Sequence, residues 1–347
     1  MTISDLRCRK IISSAGNETV EVEVTISSGE RVTTSVPAGI SAGKYEVRKV
    51  PPEQAVQQIE EMAGMLTSRD WEQASLDDFL AGANLGGNAS LAVSTVFWEA
   101  SRVNKVINYS QFPKLLLLLF EGGEHGAKNI AMQEFMIIES SIEEAAHDFK
   151  TMHHFLESEN IETLVGAEGG FSPSIFDDNK VLATIRQVFR EKQIALDAAG
   201  CFKSSKIDYG QIVADYNIAS IEDPYSDDEW DKWREFYESF GEKIMVVGDD
   251  LTVTNPQRIL RAVNPKVINA VIIKPNQIGT ISGAMAAVKL AQEKSLKIIV
   301  SHRGEETGDD WIADFAVEVR ADYVKFGGMD RGERVAKYNR LRLLGMA

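Results

Sequence analysis

Alternating apolar and polar residues near the start of the chain predict an antiparallel hairpin. The alternation is strict over Val20–Ile26, a turn follows over Ser28–Glu30, and a second strand-like run extends over Arg31–Val36. A period of two residues places one face of a sheet against a core and the other in water. Helical spacing then covers Pro52–Leu66 and Leu76–Val103. Strands followed by helices are typical of a small α+β domain.

From Lys114 onward the pattern becomes a repeated unit of a short apolar strand, a loop and a helix. Gln111-Phe112-Pro113 indicates a boundary, so residues 1–111 are predicted to form an N-terminal α+β cap and residues 112–347 a TIM-like β/α barrel. The second segment has close to the roughly 250 residues of a typical (β/α)8 barrel. The predicted strands are Leu115–Phe120, Glu134–Ile138, Thr163–Gly166, Ile194–Asp197, Ile218–Glu222, Met245–Gly248, Ala270–Lys274, Ile298–Ser301 and Tyr323–Lys325. Predicted helices between them include Val181–Gln193, Pro256–Ala262 and Ile281–Glu293.

A segment of seven small or apolar residues, Pro37–Gly43, joins the hairpin to the residues that precede the first helix. It shows neither helical nor strand periodicity, so it is interpreted either as a plain connector or as a loop that closes over a site. Ser41 stands between glycines, and loops that close over substrates are common in enzymes. Both interpretations stay open at this point.

Three predicted barrel strands end abruptly in carboxylates. Asp197 ends the first, Glu222 ends the second, and Asp249 follows the third directly. Ionised carboxylates are costly to bury without a partner, so acids at these positions have no packing purpose. Strand ends meet at one rim of a barrel, where three such residues would form a set of hard oxygen ligands suited to Mg²⁺.

Other polar residues follow the remaining strand ends. Each one alone is better explained as a solvated loop charge or a structural ion pair, but a whole series of them favours a site. Lys274 and Lys325 both follow apolar residues, and a lysine held near a metal has a lowered pKa and can act as a base. A metal-assisted lyase or isomerase acting on a small anionic acid is therefore predicted. The full series is Glu134, Glu168, Asp197, Glu222, Asp249, Lys274, His302, Arg303 and Lys325.

The acidity of the chain restricts its partners. A net charge of −15 and an isoelectric point near 4.9 make the phosphate backbone of nucleic acids a poor match. The two cysteines, Cys8 and Cys201, lie far apart, so no disulfide framework is predicted. There is no apolar signal segment, and the longest apolar run, Leu115–Phe120, is too short to span a bilayer. We therefore expect a cytoplasmic protein without a nucleic-acid or membrane partner.

Several motifs, in order along nearly the whole chain, resemble those of the enolase (phosphopyruvate hydratase) family. Because they share one order over this length, they are far more specific than any lone motif. They are Ser35–Gly43, Gly122–His125, Met132–Met136, Val165–Pro173, Ala195–Asp197, Ser220–Pro224, Val247–Asn255, Ile273–Thr280, Val300–Arg303 and Arg331–Asn339.

The resemblance implies a β/α barrel behind an N-terminal cap, a homodimer, and Mg²⁺-dependent interconversion of 2-phosphoglycerate and phosphoenolpyruvate, a small phosphorylated acid. Two Mg²⁺ ions per site are implied, the second arriving with substrate. The first would be held by Asp197, Glu222 and Asp249, and Ser41 would help to hold the second.

The remaining roles are also carried over from the resemblance. Lys274 matches the base that removes the C2 proton, and Glu168 matches the acid that helps the C3 hydroxyl to leave. Lys325 would bind the substrate carboxylate and Arg303 the phosphate, since a guanidinium binds such groups in a bidentate manner. The other site residues implied are Glu134 and His125 on the acid side, and Gln133, His302 and Ser41 toward the substrate.

The chain also departs from the family pattern. Gly304 stands where a serine is usual, Ala15 replaces an arginine in a region that contributes to the dimer, and the segment between Asp197 and Glu222 is shortened. Three alternatives follow: an enolase, an enolase-like enzyme acting on a different phospho- or phosphono-hydroxy acid, or a non-catalytic protein with the enolase fold. The last is disfavoured, because such a protein would have no need of two lysines beside a carboxylate cluster.

Overall fold

An antiparallel sheet of three strands begins the chain in this computed structural model, which describes residues 1–38, 44–104, 109, 111–199 and 207–346. The strands are β1 (Ile3–Ile12), β2 (Glu18–Ile26) and β3 (Arg31–Ser35), in that order across the sheet. The predicted hairpin is confirmed by the β2–β3 pairing. β1 was not predicted, because most of its residues are polar and exposed. Ser41 and Cys201 lie outside the described residues.

Three helices cover this sheet: α1 (Pro52–Leu66), α2 (Gln73–Gly82) and α3 (Gly87–Ala100). The first has the predicted bounds, but the helical spacing predicted over Leu76–Val103 is divided between the other two. The break lies before Gly87, where an added Cβ would stand 2.3 Å from a side-chain carbon of Val47. Glycine is required there because the backbone of residue 87 lies too close to the Val47 side chain for any other residue to fit.

Eight strands then form a closed barrel, β4 (Lys114–Glu121), β5 (Glu134–Glu139), β6 (Ile194–Asp197), β7 (Ile218–Glu222), β8 (Met245–Gly248), β9 (Ala270–Ile273), β10 (Lys297–Ser301) and β11 (Tyr323–Lys325). The helices are α4 (Ile142–Ser158), α5 (Asp178–Val188), α6 (Tyr209–Asp215), α7 (Trp230–Phe240), α8 (Pro256–Ala262), α9 (Pro275–Ile278), α10 (Ile281–Glu293), α11 (Trp311–Glu318) and α12 (Gly332–Leu344). The predicted strand Thr163–Gly166 is wrong, since Val165 forms only an isolated bridge there.

The direction of β5 determines which residues share the barrel rim. β5 pairs antiparallel with both β4 and β6, whereas the other barrel pairs are parallel. Its first residue, Glu134, is therefore level with the last residues of its neighbours. The register pairs Glu121 with Glu134, Glu134 with Asp197, and Asp197 with Glu222. Four carboxylates consequently stand side by side at one end of the barrel.

Two hydrophobic clusters account for most of the buried apolar side chains. One lies between the three-stranded sheet and α1–α3, and the other fills the layer between the barrel strands and the surrounding helices. Trp98 of α3 belongs to the barrel cluster, so the two parts pack directly against each other. The boundary near residue 111 stays a prediction. No helix in the described part of the chain is both long and apolar enough to cross a membrane.

A buried charge cluster ties α3 to the barrel helices. The Asp314 carboxylate accepts hydrogen bonds from Arg340 at 2.5 and 2.8 Å and from Arg102 at 3.3 Å. Glu99 lies nearby on α3, and burial together with repulsion from Asp314 raises its pKa to about 8. Near neutral pH the folded protein therefore holds a proton on Glu99 that the unfolded chain has released.

We expect this proton to make stability depend on pH. Between the ordinary pKa of 4.5 and the folded pKa of about 8, the folded state binds more protons, so the free energy of unfolding falls as pH rises. Glu99→Gln imitates the neutral carboxyl and should flatten this decline, leaving the variant more stable than the parent above pH 8. Urea denaturation at several pH values measures this, with Glu61→Gln at an exposed position as the control. Parallel curves for Glu99→Gln and the parent would contradict the prediction.

Candidate active site

The Lys325 ammonium stands among three carboxylates at the barrel rim. Its Nζ lies 2.8 Å from Glu134 Oε2, 2.8 Å from Asp197 Oδ2 and 2.9 Å from both Glu222 oxygens. These four residues end or begin β11, β5, β6 and β7, and each is at most 3% exposed. Gln133 donates from Nε2 to the same Asp197 oxygen at 3.4 Å. A single ammonium thus contacts the carboxyl groups of three adjacent strand ends.

A second lysine compensates the next carboxylate around the rim. Lys274, directly after β9, forms a short ion pair with Asp249, which follows β8. Gln277 donates from Nε2 to the other Asp249 oxygen at 3.1 Å. Asp223 accepts the backbone N–H groups of Asp249 and Asp250 at 3.0 and 2.7 Å, and so orients the Asp249 backbone.

The carboxylates decide the protonation of both lysines. Burial alone would lower the pKa of Lys325 and Lys274, which is the direction that the sequence argument expected for lysines beside a metal. In this structure Asp197, Glu134 and Glu222 outweigh burial and raise the pKa of Lys325, while Asp249 raises the pKa of Lys274. Both side chains are therefore ammonium groups here.

A second cluster, formed by a glutamate and two histidines, lines the same cavity as the two lysines. Glu168 lies on the loop between α4 and α5, with its carboxylate 3.5 Å from His125 Nδ1 and 3.6 Å from His302 Nε2. Glu134 also belongs to this cluster, because one of its carboxyl oxygens lies within 4.8 Å of a Glu168 oxygen. Because Glu134 also contacts Lys325, it connects this cluster to the lysine.

Glu134 and Glu168 divide a proton unequally. Burial raises the pKa of Glu134 well above its usual range, despite the adjacent Lys325. Burial also acts on Glu168, but the imidazoles of His302 and His125 and the hydrogen bond from Glu134 lower its pKa well below the usual range. Of the two carboxyl groups, Glu134 therefore has the higher affinity for a proton and Glu168 the lower.

Arg303 adds a buried guanidinium to the lining of the site. Its Nη1 donates to Asn276 Oδ1 at 3.1 Å and its Nη2 to Glu46 Oε1 at 3.0 Å. Glu46 comes from the N-terminal part of the chain, so both parts of the protein contribute to the site. The guanidinium of Arg334 donates to the carbonyl groups of Arg303 and Gly304 at 2.6 and 2.8 Å, which holds the backbone of this loop.

These groups surround one cavity of about 450 Å³. Its size suits a small ligand, and charged groups of both signs line it. Glu222 is the exception among the described predicted residues, because it lies against Lys325 and does not line the cavity. Ser41 lies outside the described residues. The predicted residues that do line it are His125, Gln133, Glu134, Glu168, Asp197, Asp249, Lys274, His302, Arg303 and Lys325.

The oxygen donors at the rim fit a hard divalent cation. Asp197, Glu222 and Asp249 present buried carboxylates on consecutive strands, the ligand type that Mg²⁺ prefers. In the described residues, two other groups bring their ligand atoms within 4.8 Å of one another, and these are His125 with Glu134 and Glu168, and Asp223 with Asp249 and Asp250. The predicted trio is more widely spread, because Lys325 and Lys274 lie between its members and hold their oxygens. Its role in metal binding stays a prediction.

Sequence reasoning missed Gln277 and Arg334, described above, and four further residues that support the site. Glu46, Glu121, Asp223 and Asn276 all contact predicted site residues through hydrogen bonds. Asp223 and Glu121 stand at strand ends like the predicted acids, which was a usable signal. Glu46 reaches the site only through tertiary structure, and no local pattern marks it, whereas Asn276 stands two residues after Lys274 within the motif Ile273–Thr280 but has no charge to single it out.

Comparison with known proteins gives matches over nearly the whole chain. Residues 3–111 match the family described as the enolase N-terminal domain, and residues 111–204 and 197–345 match the enolase C-terminal TIM barrel domain. The enolase of Campylobacter jejuni subsp. doylei is 34% identical over 398 aligned positions, covering 98% of this chain and 96% of the relative. The enolase of Ehrlichia ruminantium is 32% identical over 399 positions, covering 98% and 95%. Both alignments are longer than the chain, so the relatives contain internal segments that it lacks.

Proposed function

The chain belongs to the enolase family and is a lyase of the phosphopyruvate hydratase type, and on that premise we propose that it dehydrates 2-phosphoglycerate to phosphoenolpyruvate with Mg²⁺. The observation that carries this proposal is one cavity lined by two lysines and by two neighbouring glutamates, Glu134 and Glu168, whose pKa values are shifted in opposite directions. Removal of a proton and loss of a hydroxyl from adjacent carbons require a base and an acid in that arrangement. A role in glycolysis or gluconeogenesis, a cytoplasmic location and a homodimer are parts of the same proposal.

Asp197, Glu222 and Asp249 would hold Mg²⁺ in this proposal, and Ser41 would contribute to a second ion. A divalent cation there would stabilise the enolate that forms at the substrate carboxylate and, by engaging Asp249, lower the pKa of Lys274. Gln277 already orients Asp249 through its second oxygen.

Lys274 is the proposed base for the C2 proton. It is largely buried, and its short ion pair with Asp249 fixes the direction of its amine toward the cavity. Lys325 would pair with the substrate carboxylate, since an ammonium that already binds carboxylates is suited to another. Arg303 would bind the phosphate, and Gln133 and His302 line the cavity beside these groups.

The acid is the Glu168–Glu134 pair. Glu134, whose pKa is raised, would hold the proton beside the Glu168 carboxyl, and the pair would deliver a proton to a leaving hydroxyl. His125 contacts Glu168 and keeps its carboxylate oriented. This divides the acid role between two residues, where the resemblance assigns it to Glu168.

A different phosphorylated or phosphono-hydroxy acid is the second candidate substrate, favoured by Gly304. Gly304 lines the cavity beside Arg303 and has no hydroxyl to donate to a phosphate. A hydrogen bond to a charged group contributes roughly 1.5–3 kcal/mol, so its loss weakens binding of a phosphate or leaves room for another headgroup. The reaction type is the same in both cases.

Turnover of 2-phosphoglycerate tests the proposal. The purified protein should form phosphoenolpyruvate with Mg²⁺ present, lose this activity after chelation, and regain it when Mg²⁺ is restored. A coupled assay for phosphoenolpyruvate measures the rate, and circular dichroism confirms that the chelated protein stays folded. A folded, Mg²⁺-supplied protein without turnover would contradict the proposal for this substrate. Panels of related phospho- and phosphono-acids would then test the second candidate.

Variants that lose either proton removal at C2 or loss of the C3 hydroxyl test the assignment of base and acid. Lys274→Ala should lose both C2 hydrogen exchange with solvent and dehydration, because proton removal comes first. Glu168→Gln should keep exchange but lose dehydration, because its amide cannot take part in proton delivery. NMR of the substrate in D₂O measures exchange, with Lys289→Ala on the outer helix α10 as the control. Exchange at the parent rate in Lys274→Ala would show that the base is misassigned.

A further inference from the structure

We propose that Glu121 is a positioning residue for catalysis, whose carboxylate holds the backbone of Glu168 in place. This inference rests on the proposed role of Glu168 in the acid pair. Glu121 is the last residue of β4, and it is not among the site residues predicted from the strand ends or implied by the enolase resemblance.

Direct hydrogen bonds connect the two residues. The backbone N–H of Glu168 donates to Glu121 Oε1 at 3.2 Å and to Oε2 at 3.0 Å. Glu121 is fully buried, so water does not replace it as an acceptor. A buried N–H left without an acceptor is costly, which gives this contact an energetic role.

The loop that carries Glu168 needs such a support because it is not a strand. The predicted strand Thr163–Gly166 does not form, so the N–H of Glu168 has no ladder partner in the barrel. The Glu121 carboxylate takes that place from the end of the neighbouring strand. Its position is itself fixed, since its N–H donates to the Phe171 carbonyl at 3.0 Å and its carbonyl accepts from Ser172 Oγ at 3.0 Å.

The rest of the same loop backbone is held from the other side. Arg331 donates to the Gly166 carbonyl at 2.7 and 3.1 Å, Arg334 donates to the Ala167 carbonyl at 3.4 Å, and the N–H of Gly328 donates to the Glu168 carbonyl at 2.9 Å. Glu121 supplies the opposing contact. Together these groups leave the Glu168 side chain little freedom to move away from Glu134 and His125.

Packing confirms that the carboxylate fits closely against this loop. A Cβ added at Gly166 would stand 2.0 Å from Glu121 Oε1, so glycine is required for the approach. Among the described residues Glu121 forms no ion pair within 4.0 Å of a lysine or arginine, and burial with repulsion from Glu168 raises its pKa well above the usual range, which the more distant Arg334 and Arg331 offset only in part. A buried carboxyl without a cation partner is expensive, and support of Glu168 explains its presence.

The ratio of dehydration to C2 hydrogen exchange tests this role. Glu121→Ala should lower dehydration relative to exchange by about tenfold to a hundredfold, the effect expected when a reacting group is displaced by up to about 1 Å. Glu121→Asp, which keeps the carboxyl group but is shorter by one methylene, should show the same direction. Glu121→Gln keeps an oxygen within reach and should restore the ratio toward the parent. Glu139→Gln is the matched control, because Glu139 is a buried carboxyl at the opposite end of the barrel.

Amide hydrogen exchange provides a second readout that does not depend on the substrate. Deuterium uptake of the peptide spanning residues 166–170 should rise in Glu121→Ala and Glu121→Asp, and should stay at the parent level in Glu139→Gln. A parent-like ratio in both the Ala and Asp variants would overturn the positioning role, even with increased uptake. If the parent does not dehydrate 2-phosphoglycerate, or Glu168→Gln leaves the ratio unchanged, the proposed function fails instead. Deuterium uptake in Glu121→Ala and Glu121→Asp then tests the contact between Glu121 and the Glu168 backbone by itself. Unchanged uptake would overturn this contact, and increased uptake would support it.

Discussion

The contact between the Lys325 ammonium and three buried carboxylates is the constraint on which the rest of the site depends. Glu134, Asp197 and Glu222 stand side by side because the strand register places them there. In a buried environment their mutual repulsion is strong, and without a cation they would have to take up protons or move apart. Lys325 binds oxygens of all three and so keeps them together at the rim.

The site otherwise consists of two groups of residues, or halves, one in which the pKa values are raised and one that contains a glutamate with a lowered pKa. Lys274 and Lys325 hold protons because carboxylates surround them, whereas Glu168 is held as a carboxylate beside two imidazoles. Glu134 touches both halves, through Lys325 on one side and Glu168 on the other. A change in charge on either half therefore shifts the pKa values of groups in the other half. This coupling suits a reaction that removes a proton at one carbon and delivers one at the next.

Much of this arrangement could be predicted from the sequence, because barrel strands are short apolar runs and their ends share a rim. The acids Asp197, Glu222 and Asp249 were found in this way, and the structure places them on consecutive strands. Glu134 was also assigned to the rim, although it begins its strand. It lies there only because β5 is reversed, and that direction cannot be inferred from an apolar run alone.

The residues that sequence reasoning missed depend on tertiary contacts. Glu46 reaches Arg303 across 257 positions of sequence, and Glu121 supports a loop 47 positions away. The loop around Val165 was predicted as a strand because of its apolar residues, but side chains supply its hydrogen-bond partners in place of a sheet. The local sequence pattern therefore predicts the residues that line the cavity. The residues that hold them in position come from distant parts of the chain.

The stability of Lys325→Met as a function of pH tests the central constraint most directly. Removing one partner of a buried ion pair costs about 3–5 kcal/mol, so the variant should lose stability of this order at pH 8. Its free energy of unfolding should recover toward pH 5, because carboxylates whose folded pKa is raised take up protons there and no longer repel one another. Lys297→Met, at an exposed ion pair on β10, should change stability by at most about 1 kcal/mol. A Lys325→Met protein as stable as the parent at pH 8, or equally destabilised at pH 5 and pH 8, would contradict this account.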